Sequence, residues 1–332
     1  MTPEQHAAAG GDWRPTATRE RLAKRAAMRA AMQRFFAVRQ VLEVETPAVV
    51  GAPVTDLHLQ SARVDLGDGL PHWLHTSPEY AMKRLLAAGS GDIWQTCRVV
   101  RGGAERSRLH NPEFTLVEWY RLDLPMAAMA AETAAFVEAL CVAAGAPARG
   151  FTTLRYREAL QQHAGVDPLQ DDDERLRRAA GSLGLDAATR AAASRDELLD
   201  LLVALRVGPA LGHGPLCALT HYPASQAALA RLDVSDPRVA LRFELYGDGI
   251  ELANGFEELA DAREQAARFD ADNASRCSRG LMPQPADSRL LAALEAGMPA
   301  CSGVAVGFDR VVMLATGARS IDEVLAFPLE RA

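Results

Sequence analysis

Between His110 and Tyr120 the chain reads HNPEFTLVEWY, and the second half of that run leaves few folds open. Phe114 to Tyr120 alternates with period two and is rich in β-formers, which predicts a strand. Phe114, Glu118 and Tyr120 then share one face: a flat ring, a negative charge and a phenol at even spacing. That face suits a planar base held beside a cationic amine. An ordinary sheet strand with one half-buried glutamate would alternate in the same way, so the run needs a second signal.

That signal lies near the C-terminus. Cys301-Ser-Gly-Val-Ala-Val-Gly307 is an apolar strand-like segment interrupted by Gly303 and Gly307, and Arg310 falls in the first turn of the apolar helix expected to follow. Glycine there lets a ligand approach the backbone, because no Cβ stands in the way. Arginine offers a planar, permanently charged fork for a phosphate. A tight strand-to-helix turn with a solvated arginine is the plainer alternative.

The remaining pattern predicts an α+β domain. Strands are expected near 41–46, 57–65, 72–75, 92–100 and 113–122, then near 215–222, 239–247, 249–254 and 301–306. With few helices between neighbours, they form a mainly antiparallel sheet flanked by helices and not a doubly wound one. Thr18 to Arg39 reads as a basic amphipathic helix with Leu22, Ala26, Met32, Phe35 and Phe36 on its apolar side. Residues 150–210 read as a helical insertion, in which the acidic run Asp171 to Glu174 marks a helix N-terminal flank. Met126 to Ala144 is the most apolar helix, but Glu132 and Glu138 make it a packing helix, too polar to span a membrane.

Composition narrows the function classes. A net charge of −7 argues against a large nucleic-acid footprint, although a local basic patch would escape that total. The cysteines, Cys97, Cys141, Cys217, Cys277 and Cys301, are scattered without a C-x-x-C pair, as expected of reduced thiols in a cytoplasmic protein. The N-terminal stretch has no apolar core of signal-peptide type, so neither export nor a membrane is expected.

Taken together, these segments resemble the catalytic domain of the class II aminoacyl-tRNA synthetases, in their lysyl branch. Arg101 with the HNPEF run resembles the second class II motif, and Gly303 to Arg310 the third. Val41-Leu-Glu-Val-Glu-Thr-Pro47, after a long helix, resembles the first, which builds the dimer interface. Thr76-Ser-Pro-Glu-Tyr80 and Glu251-Leu-Ala-Asn-Gly-Phe-Glu-Glu-Leu259 complete the set in the expected order. Lysyl-tRNA synthetases carry an N-terminal OB-fold domain for the anticodon. Here 332 residues leave room for a flexible lead over 1–14 and one catalytic domain over 15–332 with its insertion. The chain therefore resembles most the truncated lysyl-tRNA synthetase paralogues that modify elongation factor P, the elongation factor P–(R)-β-lysine ligases.

The resemblance implies an AMP-forming ligase. An amino-acid carboxylate is joined to the α-phosphate of ATP, and the acyl-adenylate then passes to a lysine amine of elongation factor P. Both nucleophiles belong to substrates, so the protein has only to position them and stabilise charge. The roles implied for ATP are Arg101 at the α-phosphate, Arg310 at the γ-phosphate, Gly307 close to the nucleotide, Phe114 stacked on adenine, Asn111 bonded to the nucleotide and Leu252 in backbone contact. Glu251 would share the triphosphate with Mg²⁺, a hard ion that takes oxygen ligands. Arg101, Glu251 and Arg310 are the implied catalytic residues. For β-lysine, Glu118 and Glu258 pair with ammonium groups, Tyr120 lines the side-chain slot, and Ser77, Pro78, Glu79 and Asn254 touch the ligand. Ser77 also reads as a helix N-cap, with Pro78 at N1 and Glu79 in the first turn. At Ala305 lysyl-tRNA synthetases have glycine and the ligases alanine; one methyl in a snug pocket is worth roughly 1–3 kcal/mol of discrimination. A homodimer without stable tRNA binding is also implied.

One departure lies in the ATP motif. From Arg101 through Glu105 to His110 the run is one residue longer than the family pattern. Glu105 is expected to take the acidic contact to adenine, Gly102 and Gly103 open several paths to the loop, and Arg98 is the substitute if Arg101 is out of register. Two other functions stay open: a minimal lysyl-type aminoacyl-tRNA synthetase, and a non-catalytic regulatory paralogue. Arg101, Glu118, Glu251, Glu258 and Arg310 together argue against the second.

Overall fold

The alternating run forms a strand whose two faces divide the molecule. The computed structural model describes residues 13–103, 106–184 and 186–332. In it β6 (Glu113–Leu122) lies between β5 (Ile93–Val100) and β11 (Cys301–Gly307), antiparallel to both. The main sheet also holds β1 (Leu42–Glu43), β7 (Phe151–Arg155), β8 (Leu216–Pro223), β9 (Val239–Gly247) and β10 (Ile250–Glu257). Among the described residues its order is β1-β5-β6-β11-β10-β9-β8-β7, and its two outermost pairs are parallel while the rest are antiparallel. A second, antiparallel sheet of β2 (Val49–Val50), β3 (Arg63–Val64) and β4 (His72–Leu74) runs in the order β2-β4-β3.

On one face of β6, Val117 and Trp119 enter the core beneath α1 (Arg19–Ala37) and α3 (Met126–Ala143). Phe36 stacks on Trp94 at 4.4 Å, and Phe136 tilts against Trp119 at 5.0 Å. Each such fully buried ring contributes on the order of 2–3 kcal/mol. Thr18 caps α1, its hydroxyl accepting from the Arg21 N–H. Met28, Met32, Phe35 and Phe36 form the buried side of that helix. Ala26, expected there, is exposed, because Arg25 turns to the sheet to pair with Asp309 at 2.5 Å. α3 is long and apolar enough to cross a membrane by length and composition. It instead buries Met129, Phe136, Val137 and Leu140, while Trp119 Nε1 and Arg121 bind its Glu132.

Residues 150–210 differ from the expected helical insertion at their first residues. Phe151 to Arg155 form β7, which extends the main sheet in parallel with β8. Its residues are nearly all exposed, so no apolar alternation announced it. Then follow α4 (Tyr156–Ala164), α5 (Asp173–Gly181), α6 (Ala187–Ala192) and α7 (Arg195–Leu202). Tyr156, Leu160, Leu176, Leu198 and Leu202 build a second core against Leu219, Tyr222 and Tyr246 of the sheet. Asp172, inside the acidic run, caps α5 by accepting from the Arg175 N–H at 2.8 Å. The remaining α-helices among the described residues are α2 (Glu79–Ala87), α8 (Ala262–Ser278), α9 (Ser288–Gly297) and α10 (Phe308–Thr316).

Candidate active site

The other face of β6 opens on a cavity of about 1180 Å³. Register fills its floor. Tyr120 stands opposite Gly303 and Glu118 opposite Ala305, while β10 sets Asn254 beside Ala305 and Phe256 beside Gly303. Glu118 and Glu258 are 2% and 5% exposed. The Tyr120 hydroxyl donates to Glu118 Oε1 at 2.7 Å. Gly303 allows this packing: a Cβ there would stand 2.3 Å from the Tyr120 ring and 2.5 Å from Glu258 Oε1. The start of α2 closes the group. Ser77 Oγ accepts from the Glu79 N–H at 3.0 Å, and Lys83, one turn on, reaches Glu79 Oε1 at 2.7 Å and Glu258 Oε2 at 2.6 Å.

Burial and the nearby Glu79 push the Glu118 carboxyl up to about 8, against the Tyr120 and Ser77 hydroxyls. Burial likewise pushes Glu258 up to about 7, with Lys83 pulling the other way and Glu79 adding to the rise. Burial alone would depress the Lys83 ammonium, but Glu258 and Glu79 outweigh it and hold the group well above its ordinary value. A buried cluster with more carboxylates than cations favours a cationic ligand, whose ammonium groups replace protons the carboxylates would otherwise take up.

About 20 Å along β6 from Tyr120, at the strand rise of roughly 3.3 Å per residue, the cavity changes character. The Arg101 guanidinium lies over the Phe114 ring at 5.0 Å. Arg310 is held from three sides: Nε donates to Leu109 O, Nη1 to Glu251 O at 2.9 Å and Nη2 to His110 Nε2 at 2.7 Å. With Nε2 accepting, His110 carries its proton on Nδ1, 2.7 Å from Ser107 Oγ. Asp309 locks the first turn of α10 in place, accepting from Arg25 and from the Thr115 N–H at 2.6 Å. Glu251 faces the cavity with 42% of its side chain accessible, 3.6 Å from Arg310. Its carboxyl is raised by desolvation and by Glu244, with Arg310, Arg242 and Arg101 pulling it down. Among the described residues no three metal-ligating side chains converge. One open carboxylate fits Mg²⁺, which binds through one or two carboxylates plus substrate phosphates.

An acidic pocket and an arginine-bearing end thus share one cavity. The family described as "tRNA synthetases class II (D, K and N)" matches residues 10–331. The chain belongs to this family. Among its relatives, the elongation factor P–(R)-β-lysine ligase of Klebsiella pneumoniae strain 342 is 49% identical over 325 residues, covering 96% of this chain and 98% of that protein. The proteins of the same name from Enterobacter sp. strain 638 and Salmonella paratyphi B are each 48% identical, with the same coverage.

Around the acidic end the cavity is lined by Ser77, Pro78, Glu79, Glu118, Tyr120, Asn254, Glu258 and Ala305, the residues expected to meet the amino acid. Arg101, Asn111, Phe114, Glu251, Leu252, Gly307 and Arg310, the residues expected to meet ATP, line the arginine-bearing end. Glu105 lies outside the described residues. Arg98 is exposed, pairs with Glu113 at 3.5 Å and does not line the cavity, so the register favours Arg101. The Gly102 N–H donates to Gln60 O at 2.6 Å, and Gly103 has φ +84°, so the start of the loop is tied down. Pro78 is not at N1. The helix begins at Glu79 with Pro78 at the N-cap, and the Ser77 hydroxyl, one residue earlier, accepts from the Glu79 N–H. Asn111 ties the strand to the C-terminus: its Nδ2 donates to Glu113 O and its Oδ1 accepts from the Leu329 N–H, leaving at most one N–H for a nucleotide. Glu257, next to Glu258, does not line the cavity and is bound by Arg231 and the Met126 N–H.

Three residues escaped sequence reasoning. Lys83 was signalled only by its i, i+4 spacing from Glu79. His110 sits in the HNPEF motif, yet its role as acceptor for Arg310 depends on an approach between distant segments. Arg242 donates to Asn254 Oδ1 at 3.2 Å and to Gln226 O at 2.8 Å, while Gln226 bonds Asp200 of α7. That chain joins the 150–210 segment to the site. It also turns the Asn254 amide so that its N–H donors are the part left for a ligand.

Proposed function

We propose that the protein is an ATP-dependent ligase that activates (R)-β-lysine as an acyl-adenylate and transfers it to a lysine ε-amine of elongation factor P. The observation that carries the reading is the group of buried Glu118, Glu258 and Tyr120 with half-buried Glu79, in one cavity with Arg101 and Arg310. The substrate carboxylate attacks the α-phosphorus of ATP and the bond to pyrophosphate breaks. The acceptor amine, having lost its proton, then attacks the acyl carbon and AMP leaves with the bonding pair. Glu118, Glu258 and Glu79 hold the ammonium groups, the Asn254 N–H donors meet an acyl oxygen, and Arg101 gathers the negative charge at the α-phosphate. Arg310, fixed by Leu109, His110 and Glu251, receives the far phosphates without having to reorganise. Mg²⁺ beside Glu251 would screen the triphosphate.

The protein works in the cytoplasm as a homodimer and does not bind tRNA stably. The dimer contact is the apolar groove of Ala31, Phe35, Val38, Ala139 and Val142 on α1 and α3. The deciding experiment supplies ATP, Mg²⁺ and either α-lysine or (R)-β-lysine, with elongation factor P and total tRNA as competing acceptors. The expected result is a mass gain on a lysine of the factor, larger with β-lysine. Base-labile charging of tRNA would replace this reading with a minimal synthetase, and no ATP–pyrophosphate exchange would leave a regulatory paralogue.

A further inference from the structure

Lysine is nearly absent from this chain. Of its 36 lysine and arginine residues, only Lys24 and Lys83 are lysines. Lys24 pairs with Glu20 on α1, whereas Lys83 is 1% exposed, behind the cavity-lining Glu79 and Glu258. Arginine is the default cation here. A lysine kept in the most buried cationic position marks a place where a compact point charge fits and a planar fork does not.

Three carboxylates meet there, and the described ion pairs bring them one cation. Lys83 bonds Glu79 and lies against Glu258, while Glu118 takes the Tyr120 hydroxyl. Cys301 of β11 also faces the group; burial and Glu258 hold its thiol in the neutral form. Gln265 of α8, buried and uncharged, borders the same cavity. We propose that Lys83 is a built-in counter-cation that sets the charge of the amino-acid pocket, leaving two carboxylate charges for an acyl group that carries two ammonium groups. The proposal rests on the ligase reading above.

In the adenylate the substrate's carboxylate has become an uncharged acyl group. A diamino acid then presents two positive charges to the pocket, and a monoamino acid only one. The first matches the pocket. The second leaves a buried carboxylate that must take up a proton or stay unpaired, and desolvation penalises the unpaired charge. The same ion pairs keep Lys83 protonated.

Lys83→Met keeps much of the side-chain length and removes the charge. In ATP–pyrophosphate exchange, the acid limb of kcat/KM for the diamino acid should move at least one pH unit higher. The KM of the amino acid should rise tenfold or more, with the KM of ATP unchanged within twofold. Adding Glu79→Gln to Lys83→Met restores the charge balance and should bring the limb back. A strut with a purely structural role would lower activity without moving the limb and would gain nothing from the second change. An unmoved limb with exchange intact overturns the proposal and leaves the ligase reading standing; no exchange by the unaltered protein overturns the ligase reading itself. Should Lys83→Met not fold, the unaltered protein decides the matter. The amino alcohol with two ammonium groups should bind at least a hundredfold tighter than its analogue with hydroxyl in place of one, and equal binding overturns the proposal.

Discussion

Ala305 places one methyl on the cavity floor, in register with Glu118 on one side and Asn254 on the other. Ala305→Gly removes that methyl and enlarges the cavity between Glu118 and Asn254. Selectivity should move towards α-lysine by roughly tenfold or more, the scale of one methyl in a snug site. ATP–pyrophosphate exchange with both isomers reads it, and an unchanged ratio would discard the role. Arg310 makes a different kind of contribution, because three acceptors hold its guanidinium ready before ATP arrives. Arg310→Ala should lower adenylation by about 10²–10³-fold, as expected for losing one prepared charge-stabilising donor. Near-normal exchange would remove it from the site. Both residues were legible because each belongs to a short motif whose chemistry is local. Lys83 was not, since half of its meaning lies in Glu258, which reaches it only through the fold.

Secondary structure was legible where burial is one-sided. β6 alternates because its two faces meet different surroundings, a helical core and a polar cavity, and the sequence records both. β7 has little buried on either face, so nothing in its residues distinguishes it from a loop, and pairing with β8 alone makes it a strand. The α1–α3 pair presents the reverse problem, apolar residues that the described chain leaves uncovered. Val38 is 75% and Val142 51% exposed, next to Phe35 and Ala139 in the same groove. A contiguous apolar patch of this kind marks an interaction surface, and α1 leads into the segment resembling the dimer-forming class II motif. The double substitution Val38→Asp with Val142→Asp should convert a dimer to a monomer with its helical content unchanged. Light scattering with circular dichroism checks this, and an unaltered mass would move the interface elsewhere.

Across the whole molecule, antiparallel strands bring motifs far apart in the chain to one floor, and that floor is a buried charge cluster which the ligand-free protein must tolerate. Glu118 and Glu258 titrate near 8 and 7 when folded, against an ordinary value of 4.5. Between those limits the folded chain holds protons that the unfolded chain has released, so these two groups make stability fall as pH rises from about 5 to 8. Asp200, pushed up to about 6 by burial, acts in the same direction. His75 and His221 oppose it, because burial lowers both and the unfolded chain takes up their protons first on acidification. The slope from Glu118 is therefore read by difference. Glu118→Gln should raise the melting temperature of the ligand-free protein at pH 8 and flatten its decline between pH 5 and 8, while exchange activity collapses. A saturating diamino acid should flatten the decline in the unaltered protein too, because its ammonium groups keep the carboxylates ionised at lower pH. Parallel melting curves for the two proteins across that window would mean that Glu118 folds already ionised, with no proton for a cationic ligand to displace.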